Sequence, residues 1–273
     1  MNYRYYLFGI LLGMAVTACQ SDFINEIPVD DNAKETGGVI TMVTASTDGV
    51  ISLSVDAPVQ ARSGVWIDLD GDGARAGDGT EDVTLFNVYQ DYTLSGGVTT
   101  VSIHGDITYL GSASSELTAI DVSGNPFVTT LNVPMNRIKA IDLSANPALK
   151  RLDISENDIA LLDVSSNLAL ESLWVFKNKL SSLDVSNNIN LAFLDCSGNE
   201  LSNLDISANT KLTCLLAYNN RLSSLDVSRN VNLNRLWLFG NLFSDDETSR
   251  LTAILEEVVK GDLWISNGQL DNE

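Results

Sequence analysis

Residues 191–211 read LAFLDCSGNELSNLDISANTK. The stretch contains two similar halves. Leu191, Leu194, Cys196, Asn199 and Leu201 spell LxxLxLxxNxL. Leu204, Asp205, Ile206, Ser207 and Asn209 spell LDVSxN with Ile for Val. In both halves the apolar residues of the central triplet alternate, the period of a β-strand. Followed along the chain, Asn199 belongs to the series Asn136, Asn157, Asn178, Asn199, Asn220 and Asn241. Asn209 belongs to Asn125, Asn146, Asn167, Asn188, Asn209 and Asn230, and both series step by 21 residues. A unit this short cannot bury its own leucines, so successive coils must stack and share a core. Leu170, Leu173, Val175, Leu180, Leu183 and Val185 are the inward residues of one coil. A short strand is expected on both halves, with neighbouring coils about 4.8 Å apart. Asparagines at the inner bends are expected to be buried and bonded to the backbone of the next coil, a structural role.

The pattern resembles the leucine-rich-repeat family, in particular a bacterial class with 21-residue repeats whose second half mimics the first. The resemblance covers about 117–243, with ITYLGSASSEL (107–117) as a degenerate first coil. It implies a mostly-β leucine-rich-repeat solenoid over 107–243, with a strand on both sides of each coil and a closure at either end. Residues 244–273 supply one closure. Ser244 and Glu247 have capping-box spacing, Leu251, Ile254, Leu255, Val258 and Val259 form one apolar stripe, Gly261 is a stop, and strand-like DLWIS (262–266) follows. At the other end, 38–106 reads as a small β domain fused to the first coil. Its strands are VITMVTAS, VISLSVDA, GVWIDLD, VTLFNVYQDYTL and VTTVSIHG, separated by Gly, Asp and Ser turns.

The two halves differ in what they send outward. The LDVSxN half repeats Asp and Ser six times: Asp121, Asp142, Asp163, Asp184, Asp205 and Asp226 each precede a Ser by two. The other half varies: Asn132/Pro134, Asp153/Ser155, Trp174/Phe176, Asp195/Ser197, Leu216/Tyr218 and Trp237/Phe239. A position that only maintains the coil can repeat itself, whereas one shaped to a partner has reason to differ. Trp174, Phe176, Phe193, Leu216, Tyr218, Trp237 and Phe239 are therefore the candidate partner-binding residues. The alternatives are that these rings stack on each other or lie beneath the N-terminal domain.

Residues 1–18 carry Arg4 and the apolar run Leu7 to Val16, too short for a finished membrane span. VTAC, Val16 to Cys19, resembles the lipobox of bacterial lipoprotein signal peptides, which implies cleavage before Cys19 and lipidation of that residue. A plain secretory peptide is the alternative. Residues 19–37, with Asp22, Glu26, Asp30 and Asp31, read as a flexible tether. The formal charge of −20 becomes −21 without residues 1–18, 15 basic against 36 acidic side chains. That excludes nucleic-acid binding through phosphate neutralisation and attraction to anionic lipid, leaving the lipid anchor as the only membrane contact. Cys196 and Cys214 sit at non-equivalent repeat positions, so their spacing does not suggest a disulfide.

IDLDGDGARAGDGTED (67–82) is the one metal-like stretch. Asp68, Asp70 and Asp72 open like a DxDxDG calcium loop, with Asp78, Glu81 or Asp82 as further ligands because Gly79 stands at the twelfth position. A metal-free acidic turn is the alternative, and any calcium would be structural. His104, the only histidine, has no partner for zinc or catalysis. A stacked Asp row gives every carboxylate the same surroundings, unlike a catalytic pair. The sequence thus reads as no enzyme but an exported, lipid-anchored binding protein at the outer membrane or cell surface. Its expected partner is a protein, from a host or a neighbouring cell surface. Glycan capture, with Asp153, Asp195 and Asn219 beside the rings, and a purely structural envelope role are the alternatives.

Overall fold

The structure, a computed structural model, describes residues 37–95, 97–258 and 262–265. The signal segment, Cys19 and nearly all of the tether lie outside the described residues, as do Val259 and Gly261. Fourteen strands and one α-helix are present among them: β1 (Val39–Thr44), β2 (Val50–Asp56), β3 (Trp66–Asp68), β4 (Gln90–Thr93), β5 (Thr100–His104), β6 (Tyr109–Gly111), β7 (Leu117–Asp121), β8 (Thr130–Asn132), β9 (Arg151–Asp153), β10 (Ser172–Trp174), β11 (Phe193–Asp195), β12 (Cys214–Leu216), β13 (Arg235–Trp237), α1 (Asp245–Val258) and β14 (Asp262–Trp264).

The repeat sets the architecture. Strands β6 and β8 to β14 lie side by side, all parallel, one per coil and in exact 21-residue register from β6 to β13: Leu110, Leu131, Leu152, Leu173, Leu194, Leu215 and Leu236 are aligned. All seven leucines are buried in one continuous core, shared with Val175, Val185, Leu204 and their equivalents. The result is a mostly-β solenoid.

Asparagines tie one coil to the next. Asn199 donates from Nδ2 to the carbonyls of Val175 (2.9 Å) and Cys196 (3.0 Å), and its Oδ1 accepts from the Leu180 N–H (3.0 Å). Asn157, Asn178, Asn220 and Asn241 make the equivalent bonds. The second series works through Nδ2 alone: Asn188 donates to Val164 O (3.0 Å) and Asn167 O (2.9 Å). Its Oδ1 accepts no hydrogen bond.

The LDVSxN half departs from the sequence expectation. A strand was expected there in every coil, yet only β7, in the first coil, is one. Some of its backbone groups go to side chains. Carbonyls of Leu143, Val164, Val185 and Ile206 accept from the next coil's asparagine, and the N–H of each serine turns back to the Asp two residues earlier. The first coil engages Val122 and Ser123 in the same way, so the difference lies in the partner strand. β7 is a strand because β1 pairs with it antiparallel. A corner not evident in the sequence follows each strand: Met135, Glu156, Lys177, Gly198, Asn219 and Gly240, 21 residues apart, all have φ between 51° and 68°. The chain bends there whatever the side chain, although only Gly and Asn favour that region.

At the N-terminal end, β2 pairs antiparallel with β6 and β4 with β2, so the long sheet continues past the first coil. A second sheet, in the order β3-β5-β1-β7, runs on from the other side of that coil. Ile40, Met42, Val101 and Ile103 of this sheet share the core with Ile51, Leu53 and Leu110 of the first. The join is close: a Cβ at Gly124 would lie 2.7 Å from the Val39 carbonyl oxygen. Of the expected strand 83–94, only Gln90–Thr93 is one. At the C-terminal end, Ser244 Oγ accepts from the Glu247 N–H (3.2 Å) at the start of α1. The other half of the expected capping box is absent. Glu247 turns its carboxylate to the Leu225 N–H (3.2 Å) and to Arg250, which in turn donates to Leu225 O (2.8 Å). The last coil's backbone thus takes the bond that the helix start would have had.

Candidate binding face

On each three-residue strand the central leucine points into the core and its two neighbours point out. The third positions therefore form one row in register: Gly111, Asn132, Asp153, Trp174, Asp195, Leu216, Trp237 and Trp264. Phe193 stands at a first position and Phe176, Tyr218 and Phe239 two residues beyond the row. The structure thus places all seven candidate residues on one side of the solenoid. This is the strand face of the solenoid.

The exposed aromatic surface expected from the sequence is not what the structure shows. Trp174, Phe193, Leu216 and Trp237 are buried, and only Phe176, Tyr218 and Phe239 are half-buried. The rings pack on their neighbours one coil away: Trp174 tilted against Phe193 with centroids 4.7 Å apart, Tyr218 stacked on Phe239 at 4.6 Å and 11°. Trp264 continues the cluster, 4.6 Å from Phe239 and edge-on to Trp237 at 5.9 Å. At strand spacing, rings of this size in adjacent coils have to meet. Sequence reading missed Trp264, whose place in the row follows only from the pairing of β14 with β13.

Acidic positions on the two sides of the solenoid share a turn but not an environment. Each Asp of the LDVS row accepts from the N–H of the serine two residues on, at 2.8–2.9 Å. These exposed carboxyls lie below their usual range. The serine hydroxyl is the main cause in Asp121, Asp142 and Asp163, and the serine N–H in Asp184, Asp205 and Asp226. On the strand face, Asp153 and Asp195 make the same turn with Ser155 and Ser197, each with bonds of 3.0 and 2.6 Å. There burial dominates. It raises Asp153 and pushes Asp195, 1% exposed, up to about 7. Burial likewise raises Tyr218, to about 12.

The calcium-like loop has its own geometry. Asp68, Asp70 and Glu81 each bring a carboxylate oxygen within 4.8 Å of the others, and Asp68 and Glu81 are buried. Five loop N–H groups, of Leu69, Gly71, Asp72, Gly73 and Ala76, donate to them. Every bonded oxygen keeps a second lone pair, so the trio fits a hard cation. Asp72 and Asp78 do not join it; they accept from the N–H groups of Ala74 and Thr80. Asp82 pairs with Arg75. His104 lies on β5 with its ring flat on Trp66, 3.9 Å away. Cys196 is in the core and Cys214 on the strand face, with no disulfide between them.

No protein-family model and no curated protein matches the chain. Among solved structures it is similar to the functional domain of InlJ from Listeria monocytogenes, at 38% identity and a TM-score of 0.46. That match covers 46% of this chain and 28% of the other. A leucine-rich-repeat protein of Leptospira interrogans is similar at 27% identity and a TM-score of 0.49, covering 52% of this chain and 38% of that one. An internalin, InlF, from Listeria monocytogenes is similar at 20% identity and a TM-score of 0.49, covering 53% and 44%. The chain therefore spans less than half the length of each.

Proposed function

We propose that this chain is an exported, lipid-anchored binding protein that recognises another protein through the strand face over residues 128–240. One observation carries the reading. On a backbone that repeats every 21 residues, the outward row of the strand face holds Asn, Asp, Trp, Asp, Leu and Trp in turn, while the opposite row holds Asp six times. The coil tolerates any of these side chains at that position, so its own stability does not select them. A surface differentiated in this way, with an aromatic cluster at one end, fits the recognition of one particular partner. The reading is of a binding scaffold and not of an enzyme.

Anchoring at Cys19 rests on the VTAC motif after a short apolar run. The acidic tether that follows Cys19 resembles those of surface-displayed lipoproteins, which supports a location at the outer membrane or cell surface. Cys19→Ser is expected to release the protein from membranes or leave its precursor unprocessed, read by labelled-palmitate incorporation; unchanged labelling overturns the assignment. For the face, the full chain is compared with a Phe176→Ala, Tyr218→Ala, Phe239→Ala variant on surface-protein extracts and on a glycan array. These half-buried rings are the most exposed of the seven candidates. Loss of a protein partner in the variant supports the reading, whereas glycan binding alone replaces it with glycan capture. A structural calcium at Asp68, Asp70 and Glu81 is the remaining proposal. Millimolar calcium is expected to raise the melting temperature, and Asp70→Ala to abolish the increment.

A further inference from the structure

The strand face divides into two unlike stretches. Toward the C-terminus, from Tyr218 to Trp264, rings complete one another's packing. Toward the N-terminus the face is polar. A Cβ at Gly111 would lie 2.6 Å from the hydroxyl oxygens of both Tyr89 and Tyr109, so the two hydroxyls converge over that glycine. Asn132, Asp153, Trp174 and Asp195 follow in consecutive coils. Four polar atoms buried in this stretch have no hydrogen-bond partner: Thr130 Oγ1, Asn132 Oδ1, Ser172 Oγ and the indole Nε1 of Trp174. Ser172 is 1% exposed and Trp174 8%. Native interiors leave few such groups, and each has a cost of about 1–3 kcal/mol if nothing meets it.

The acids in the same stretch are also incomplete. In Asp153 and Asp195 one oxygen takes both bonds from the serine of the turn. Among the described residues neither forms an ion pair. Arg151, two residues before Asp153 on β9, is not among the causes that shift Asp153. A coil does not need an acid here, since Leu216 and Trp237 hold the same position with their strands intact. Burial is what raises both carboxyls, and in Asp195 it outweighs the lowering by the Lys177 ammonium.

We propose that the strand face over β8–β11 seats a lysine or arginine side chain presented by an extended segment of the protein partner, an inference that rests on the binding-face reading above. Asp153, Trp174 and Asp195 lie in adjacent, in-register strands, which puts the two acidic Cα atoms roughly 10 Å apart with the indole between them. A guanidinium or ammonium over that ring has a carboxylate on either side and the negative face of the indole beneath it. The Trp174 N–H and the Thr130 and Ser172 hydroxyls are then available to the carbonyls of the segment that carries the charge. Half-buried Asn132 and Asp153 and the exposed Tyr89 leave the entry on the N-terminal side. A neutral sugar supplies no charge for the two carboxylates.

The test measures fluorescence anisotropy of labelled Gly/Ser peptides carrying arginine, lysine or glutamate at every third position, with the full chain in about 150 mM salt to screen non-specific attraction. Arginine or lysine peptides are expected to bind saturably and glutamate peptides not at all. Asp153→Asn with Asp195→Asn is expected to weaken binding about tenfold or more. Asp163→Asn with Asp205→Asn removes the same charge from the opposite row and is expected to change it by less than about twofold. In both pairs Asn keeps an acceptor for the serine turn, so folding is retained. Trp174→Phe, which keeps a ring but loses the N–H and the better cation platform, is expected to weaken binding as well. Equal weakening by the two Asn pairs, or no saturable binding of either cationic peptide, overturns the proposal. A protein partner that depends on Phe176, Tyr218 and Phe239 but binds the Asp153/Asp195 variant at full strength also overturns it, while leaving the binding face in place.

Discussion

At the scale of single residues, the molecule is held by amides whose bonding differs between its two asparagine series. Asn199 has all of its polar groups engaged, whereas Asn188 leaves Oδ1 without a donor. Asn199→Ala orphans a buried N–H as well as carbonyls and is expected to cost about 2–4 kcal/mol, with Asn188→Ala costing about half of that, measured by urea denaturation. Asp195 makes a pH-dependent prediction. Its folded-state pKa is raised to about 7 by burial. Between its ordinary value near 4 and about 7, the folded chain therefore holds a proton that the unfolded chain has lost. The group's contribution falls as pH rises through that window, by at most about 1.4 kcal/mol per pH unit, and is fully restored only below it. Asp195→Asn removes this slope, so the variant is expected to be stabilised relative to the native chain at pH 8 and not at pH 4. A native-like slope in denaturation at the two pH values contradicts the assignment. The exposed Asp row has lowered pKa values and the opposite sign, but its losses lie at more acidic pH.

At the scale of elements, a strand of three residues has too few ladder bonds to stand alone, and each from β8 to β13 survives because a parallel neighbour lies on either side. The two ends of the sheet use different devices. β2 and β4 extend one end as antiparallel strands, while β14 and α1 follow the last coil at the other. Glu247 and Arg250 of α1 hold the N–H and the carbonyl of Leu225, and Leu251 joins the core. Glu247→Ala is expected to cost about 1–3 kcal/mol by leaving the Leu225 N–H unpaired and Arg250 without its partner. Faster amide hydrogen exchange confined to α1 and the last coil is the signature. Uniform destabilisation without that localisation speaks against the clamp. Glu247 was legible as a helix-start residue from its spacing to Ser244. Its actual partner was not, because Leu225 is 22 residues away and meets the helix only after the coils are stacked.

At the scale of the whole molecule, the N-terminal sheets and the coils share one core, so the ends of the solenoid depend on what is joined to them. Removing residues 38–106 would bare the edge of β6 and β7 and the apolar side chains of the first coil. That truncated chain is expected to aggregate, seen as concentration-dependent light scattering, where the full chain stays dispersed. A soluble, folded truncation would show the coils to be self-sufficient. The sequence by itself determined the coil: the 21-residue step, the inward leucines and the buried asparagines are local periodicities, and each has one physical solution once stacking is required. It also singled out the side of the solenoid where outward residues vary. Only the tertiary structure decided the rest. The LDVS half is a strand only in the first coil, because only there does another strand, β1, pair with it. The left-handed corner falls on Met135, Glu156 and Lys177, residues with no preference for it, because closure of the coil overrides local propensity. Trp174 and Trp237 became buried because rings one coil apart pack together, and Asp195 differs from Asp205 because burial, which no pattern of letters encodes, separates two carboxylates with the same turn.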